Sequence, residues 1–171
     1  LDDLGADRAV MVGHDWGSMV VWQTALLHPD RVAGVVGMSV PFLPRGDHPP
    51  IEAMRFVFAD TFFYIVYFQE PGVADAELGG DAARTMRRLL ATTEPPNDPN
   101  AGALDGRGFI DRIPEPTGLP YWLSQAELDH YIETFTRTGF TGGLNWYRNF
   151  DRNWTRTAQL AGAHVTMPSL F

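Results

Sequence analysis

The segment Ala9-Val-Met-Val-Gly-His-Asp-Trp-Gly-Ser18 gives the first indication of how this chain folds. Residues 9–13 form a short apolar run of the kind found in buried strands. A Gly-rich turn follows at 13–18, and residues 18–28 predict a mostly apolar helix. A second buried-strand pattern covers residues 32–40. Strand, turn, helix and strand in this order predict a βαβ unit with parallel strands, and therefore an α/β fold.

The turn itself has the spacing of a nucleophile elbow, G-x-nucleophile-x-G, with Asp15 at the centre between Gly13 and Gly17. Such an elbow holds its central residue in a strained conformation, and flanking side chains would collide with neighbouring backbone. The helix N-terminus favours an ionised carboxylate at Asp15, and the N–H of Trp16 can donate to an oxyanion. The ordinary alternative is a plain β–α turn in which Asp15 only caps the helix.

Composition excludes several chemistries. The 171 residues carry 21 acidic and 13 basic side chains, for a formal net charge of −8. All 13 basic residues are Arg, and Cys is absent. The chain therefore has no P-loop lysine, Schiff-base amine, thiol nucleophile or thiolate metal site. We expect no metal, no cofactor and no nucleic-acid partner. With no apolar run of about 18 residues and no signal peptide, we also expect no membrane span and a cytoplasmic location.

The sequence pattern after residue 42 predicts a helical insertion. Residues 41–50 contain four prolines and form a connector, and residues 51–70 are rich in aromatic side chains. Residues 73–92 predict a helical stretch with a possible interruption at Gly79-Gly80, and residues 93–120 predict a loop. The capping box Ser124/Glu127 predicts the start of a helix that ends at Gly139, and a further helix is predicted from Leu144 to Leu160. We therefore predict part of an α/β core at 1–42, a helical cap at 43–160, and a return to the core in a truncated strand at 161–171.

Two tyrosines of the insertion, Tyr64 and Tyr147, are candidates for a chemical role. Core packing is the ordinary interpretation of any single tyrosine in such aromatic surroundings. A phenol in an apolar pocket is nevertheless a good hydrogen-bond donor to a neutral, strained oxygen.

Together these segments resemble soluble-type epoxide hydrolases of the α/β-hydrolase fold. The resemblance is carried by Val12-Gly-His-Asp-Trp-Gly-Ser18, His28-Pro-Asp-Arg31, Ser39-Val-Pro-Phe42, Tyr67-Phe-Gln-Glu-Pro-Gly-Val-Ala-Asp-Ala-Glu-Leu78, Thr138-Gly-Phe140, Gly143-Leu-Asn-Trp-Tyr-Arg-Asn149 and Arg152-Asn-Trp154. The elbow is shared with sister families, whereas the motifs of the insertion are more specific.

The resemblance implies that Asp15 attacks an epoxide carbon and forms an ester. It implies that Tyr64 and Tyr147 bind and protonate the epoxide oxygen, and that the N–H of Trp16 supplies half of an oxyanion hole. Trp146 and Phe63 are expected to line the substrate pocket. Water would then release a vicinal diol, so the expected partner is a small apolar epoxide. The pattern specifies neither the individual epoxide nor the oligomeric state.

The sequence departs from the family by lacking its N-terminal oxyanion loop and its later triad acid and His. None of the five His residues fits the role of activating water. We therefore expect a fragment that does not turn over epoxides alone. Two alternatives stay open: a haloalkane dehalogenase, which shares the Asp elbow, and a non-catalytic ligand-binding protein of α/β-hydrolase type.

Overall fold

A computed structural model of the chain describes residues 1–92 and 102–171. Residues 93–101, part of the predicted loop at 93–120, lie outside the described residues. The chain divides into two compact units. Unit 1 comprises Leu1–Asp47 and Trp154–Phe171, and unit 2 comprises His48–Asn153. The assignment of core and cap roles, with boundaries after residues 42 and 160, stays a prediction.

Unit 1 contains a parallel three-stranded sheet. Its strands are β1 (Ala9–His14), β2 (Val32–Met38) and β3 (Ser169–Leu170), in the order β1-β2-β3, and α1 (Trp16–Leu27) connects the first two. Met11 is level with Val35, and Val36 with Leu170. The predicted parallel α/β arrangement is confirmed, and the carboxyl ends of β1 and β2 lie side by side.

The core of unit 1 lies where α1 packs on the sheet. Its buried apolar residues are Val21, Trp22, Ala25, Val32, Val35 and Met167. Gly37 of β2 permits this close approach, because a Cβ atom there would lie 2.4 Å from Cζ2 of Trp22. Helix and strand thus pack with no room for a methyl group at this point.

Unit 2 is helical. Its helices are α2 (Pro50–Val57), α3 (Tyr64–Tyr67), α4 (Val73–Gly80), α5 (Ala82–Ala91), α6 (Gln125–Thr138) and α7 (Thr141–Arg148), followed by α8 (Phe150–Arg156), which contains the boundary with unit 1. Short 3-10 turns cover Asp2–Leu4, Ile110–Arg112 and Ala158–Leu160. Within residues 1–92 and 102–171, no helix has both the length and the apolar character needed to cross a membrane.

Local signals in the sequence explain three helix ends in unit 2, the start of α5 and both ends of α6. The predicted capping box is present, since the N–H of Ser124 donates to the Glu127 carboxylate over 2.8 Å, and α6 ends at Gly139 with φ 69°. The predicted interruption near Gly79-Gly80 falls at Asp81, whose carboxylate accepts the N–H of Arg84 over 2.8 Å and so caps α5.

The prediction of one helix from Leu144 to Leu160 is wrong. The segment forms α7 and α8, separated at Asn149. The Asn149 side chain donates to the carbonyl of Asn145 over 2.7 Å. A side-chain amide that bonds to a backbone carbonyl four residues earlier competes with the regular helical pattern, which accounts for the break.

Candidate active site

Asp15 occupies a strained backbone position at the end of β1, with φ 54° and ψ −119°. Its N–H donates to the carbonyl of Met38 over 3.1 Å, and its own carbonyl accepts the N–H of Ser18 over 3.0 Å. Ser39, next to Met38, also has a positive φ, of 68°. Two strained non-glycine residues therefore follow the ends of neighbouring strands, as is common at functional sites.

The Asp15 carboxylate also caps α1. Its Oδ2 atom accepts the N–H of Trp16 over 2.6 Å, and the side chain is exposed. The helix cap of the ordinary alternative is present, and the same residue has the backbone strain expected of a nucleophile elbow. The N–H contact uses Oδ2 alone, so an attack through Oδ1 would leave Oδ2 bound to its donor.

The two glycines that flank Asp15 differ. A Cβ atom on Gly13 would lie 2.1 Å from the Gly17 carbonyl oxygen, so any side chain at position 13 collides with the backbone. A Cβ atom on Gly17 would meet no atom within 4 Å. The expected steric need for glycine therefore holds at position 13 and is wrong at position 17.

Tyr64 and Tyr147 are brought together within unit 2. Their ring centroids lie 5.7 Å apart with the planes at 81°, an edge-to-face contact. Both rings also contact Phe68, at 5.5 Å from Tyr64 and 5.2 Å from Tyr147, and Tyr64 contacts Phe109 at 5.8 Å. Both phenols are half-buried at the edge of the core of unit 2. Two potential acids therefore share one aromatic environment.

Phe63 and Trp146, the predicted pocket residues, have different surroundings. Phe63 stacks on Phe58, with ring centroids 4.0 Å apart, and contacts Tyr64 edge-on. Trp146 is 51% exposed and lines a shallow pocket of about 300 Å³ together with Gly142, Asn145, Asn149 and Asn153. Phe63 is not among the residues that line this pocket. A role in binding substrate stays a prediction for both.

A strained Asp at a strand-to-helix turn of a parallel sheet is a feature that can be compared with known protein families. A family model described as the alpha/beta hydrolase fold matches residues 1–97. The chain belongs to the α/β hydrolase fold family.

This α/β hydrolase chain is similar to several epoxide hydrolases. It is 65% identical to "Epoxide hydrolase A" of Mycobacterium tuberculosis over 100% of the chain and 54% of that protein. It is 38% identical to "Bifunctional epoxide hydrolase 2" of Mus musculus over 99% of the chain and 31% of that protein. The crystal structure of Epoxide Hydrolase A from Mycobacterium thermoresistibile superimposes with a TM-score of 0.90 at 61% identity, covering 100% of this chain and 55% of that one. The chain thus spans about half, or less, of the length of these relatives.

The α/β hydrolase also contains polar residues beside the tyrosine pair that sequence reasoning did not single out. The Glu77 carboxylate accepts the hydroxyl of Tyr67 over 2.8 Å and the N–H groups of Phe109 and Ile110 over 3.1 and 2.8 Å. It thereby anchors the segment that places Phe109 against Tyr64. Burial, and then the hydrogen bond to Glu77, raise the pKa of Tyr67 to about 12. No signal in the sequence indicates this role, because Glu77 is one of two carboxylates in a short helix and its partners lie in distant segments.

Proposed function

We propose that a protein carrying this chain hydrolyses small apolar epoxides to vicinal diols through an ester on Asp15. The observation that supports this proposal most directly is the edge-to-face pair of Tyr64 and Tyr147 in apolar surroundings. The similarity to proteins named epoxide hydrolases supports it independently. A cytoplasmic location, expected from the sequence, remains part of the proposal.

The first step is ring opening. Oδ1 of Asp15 attacks one epoxide carbon, a carbon–oxygen bond of the ring breaks, and its electron pair passes to the epoxide oxygen. Tyr64 and Tyr147 donate hydrogen bonds to that oxygen, and one of them transfers its proton to give a hydroxyl group. Ring strain makes the carbon electrophilic, but the departing alkoxide is strongly basic, so an acid is needed. The resulting phenolate recovers its proton from solvent.

The second step is hydrolysis of the ester. Water adds to the Asp15 carboxyl carbon, and the developing negative charge forms on Oδ2, the atom that accepts the N–H of Trp16 over 2.6 Å. Collapse of this intermediate breaks the bond between the carboxyl carbon and Oδ1. Oδ1 leaves as an oxygen of the diol and takes up one proton of the added water, the other proton passes to solvent, and the water oxygen completes the restored carboxylate. All five His side chains are exposed, and none of them is assigned as the base that activates water. We therefore propose that the 171 residues alone form the ester and do not turn over.

The tyrosine pair also separates this proposal from a haloalkane dehalogenase. A departing halide needs no proton and is stabilised by N–H donors in apolar surroundings, whereas a departing alkoxide needs a proton. Two phenols beside each other match the second requirement. Phe63 and Trp146 are proposed to contact the apolar part of the epoxide.

Ester formation tests the proposal directly. The chain is incubated with styrene oxide and analysed by intact-mass and peptide mass spectrometry. We expect one added epoxide mass located on Asp15, none with Asp15→Asn, and slower addition with Tyr64→Phe or Tyr147→Phe. Gly17→Ala, which meets no atom, serves as a folded control at the elbow.

Absence of any ester on the wild-type chain would contradict the proposal, and so would either of two further results. One is addition of the epoxide to other residues at a rate that Asp15→Asn leaves unchanged. The other is release of chloride from 1-chlorohexane, with no ester from styrene oxide, which would indicate the dehalogenase instead.

A further inference from the structure

Backbone carbonyls near the two tyrosines accept hydrogen bonds from the side chains of Gln69 and Arg148. The Gln69 side-chain amide donates to the carbonyl of Ile65 over 2.8 Å and to that of Tyr147 over 3.2 Å. In the other direction, Arg148 donates to the carbonyl of Phe68 over 2.9 Å and to that of Glu70 over 3.4 Å. The segment that carries Tyr64 and the helix that carries Tyr147 are therefore joined twice, once from each side.

A single carboxylate extends this arrangement. Asp75, in the first turn of α4, forms an ion pair with Arg148 and accepts the hydroxyl of Thr141 over 2.6 Å. The side chains of Arg148 and Asp75 are only 13% and 21% exposed. Hydrogen bonds from Arg148 and Thr141 hold the pKa of Asp75 well below its usual range, so the carboxylate stays ionised.

These contacts fix the orientation of α7. Thr141 is the first residue of this helix and Arg148 the last. A helix attached at one point can still rotate about its axis, whereas attachment of both ends to one carboxylate prevents rotation. Because Tyr147 immediately precedes Arg148, the direction of its ring is determined by the same contacts.

The required precision of the acid pair explains why such attachment matters. Two phenol hydroxyls that donate to one oxygen, each over about 2.8 Å, lie within about 5.6 Å of each other. A displacement of about 1 Å in a reacting group is sufficient to reduce a rate by about 100-fold. Edge-to-face contact between the rings alone leaves sliding motions open.

We propose that Gln69, Asp75, Thr141 and Arg148, which we call the carbonyl clamp, are positioning residues for Tyr64 and Tyr147. The clamp holds the two phenols so that both donate to one substrate oxygen, and it does not touch the substrate. This inference rests on the proposed role of the tyrosine pair in epoxide opening.

Two variants and one control test the clamp. Gln69→Leu keeps the approximate shape but removes the amide donor. Arg148→Lys keeps a positive charge beside Asp75 but lacks the planar fork that reaches Phe68 and Glu70 as well. Glu115→Gln removes a different ion pair of unit 2, with Arg88 at 2.9 Å, that contacts neither the clamp nor the tyrosines.

Two readouts are measured on the full chain. The first is the ¹³C chemical shift of each tyrosine Cζ, with Tyr64 and Tyr147 assigned from their Phe variants. The second is the rate of ester formation on Asp15 with styrene oxide. In both clamp variants we expect shifted signals for Tyr64 and Tyr147, with the signal of Tyr131 unchanged, and esterification slower by about 10- to 100-fold at saturating epoxide. The control is expected to match the wild type in both.

The outcomes separate the clamp from the proposed function. Absence of ester in the wild type would reject the proposed function, and with it a catalytic purpose for the clamp. Unchanged signals of Tyr64 and Tyr147 in folded Gln69→Leu would overturn the clamp even if the wild type forms the ester. If Gln69→Leu fails to fold, Arg148→Lys decides by the same criteria. A rate that falls only in proportion to the unfolded fraction, measured by circular dichroism, also overturns the clamp.

Discussion

The hydroxyl of Tyr67 donates to the carboxylate of Glu77 over 2.8 Å, and this contact joins α3 to α4 within unit 2. A phenol that is partly removed from water and bonded to a carboxylate resists ionisation, which raises the pKa of Tyr67 to about 12. Tyr67 is therefore a structural donor, although it lies only three residues from a proposed acid.

The raised pKa of Tyr67 predicts a loss of stability at high pH. Its contribution is complete below the unfolded value of about 10 and disappears as the pH rises through about 12. We expect Tyr67→Phe to lose about 1–2 kcal/mol at pH 8 and to show a shallower decline above pH 10. Urea unfolding of both proteins from pH 8 to 11.5 measures this difference. Parallel curves over that range would show that Tyr67 and Glu77 are not coupled.

The lowered pKa of Asp75 predicts a loss of stability at low pH. Because the pKa of Asp75 is depressed in the folded chain, its stabilisation is complete above the ordinary carboxyl range near pH 4 and is lost as the pH falls through the depressed value. We expect Asp75→Asn to be less stable by about 2 kcal/mol at pH 7 and to lose less further stability below pH 4. Denaturation at pH 7, 4 and 2.5 measures both effects. An equally steep acid decline in the variant would refute the assignment.

Alanine substitutions at the two glycines of the elbow, Gly13 and Gly17, form a matched pair. Gly13→Ala places a methyl group 2.1 Å from the Gly17 carbonyl oxygen, and we expect a loss of more than about 4 kcal/mol and little folded protein. Gly17→Ala meets no atom and lies in the first turn of α1, so we expect a change within about 1 kcal/mol. Soluble yield and urea midpoints compare them. Equal effects of the two substitutions would contradict this account of the elbow.

Two side-chain donors bond to one backbone carbonyl just after the end of β2. The Ser18 hydroxyl and the Trp22 indole N–H both donate to the carbonyl of Val40, over 2.7 and 3.0 Å. Either donor alone keeps this carbonyl bonded, so the loss of both is expected to cost about 1 kcal/mol more than the sum of the single losses. Urea unfolding of wild type, Ser18→Ala, Trp22→Phe and the double variant measures this coupling. Additivity within about 0.3 kcal/mol would contradict it.

The sequence was most informative where a single short segment determines the structure. The apolar run at 9–13, the turn at Asp15 and the second apolar run predicted two parallel strands and the helix between them, and all three are present. The strain at Asp15 follows from the same segment, because Gly13 must pass close to the backbone of Gly17. Such features depend on residues a few positions apart, so their signal is local.

The sequence was least informative where distant residues meet. Gln69 contacts the carbonyl of a residue 78 positions away, and Arg148 that of one 80 positions away. No periodicity encodes such a pairing, and an amide or guanidinium side chain is ordinarily expected to face solvent. The break at Asn149 was missed for a different reason: it depends on a side-chain rotamer, which residue type alone does not determine.

Apart from the Asp75 carboxylate, the acceptors in the carbonyl clamp are main-chain carbonyls, and every residue type has them. Ile65, Phe68 and Glu70 can therefore be exchanged for other residues without removing a single contact of Gln69 or Arg148. The side chains of these three residues therefore take no part in the hydrogen bonds that orient the proposed acids. Libraries that randomise positions 65 and 70 are therefore expected to keep the arrangement of the two phenols, because only the backbone carbonyls of these residues take part in the clamp.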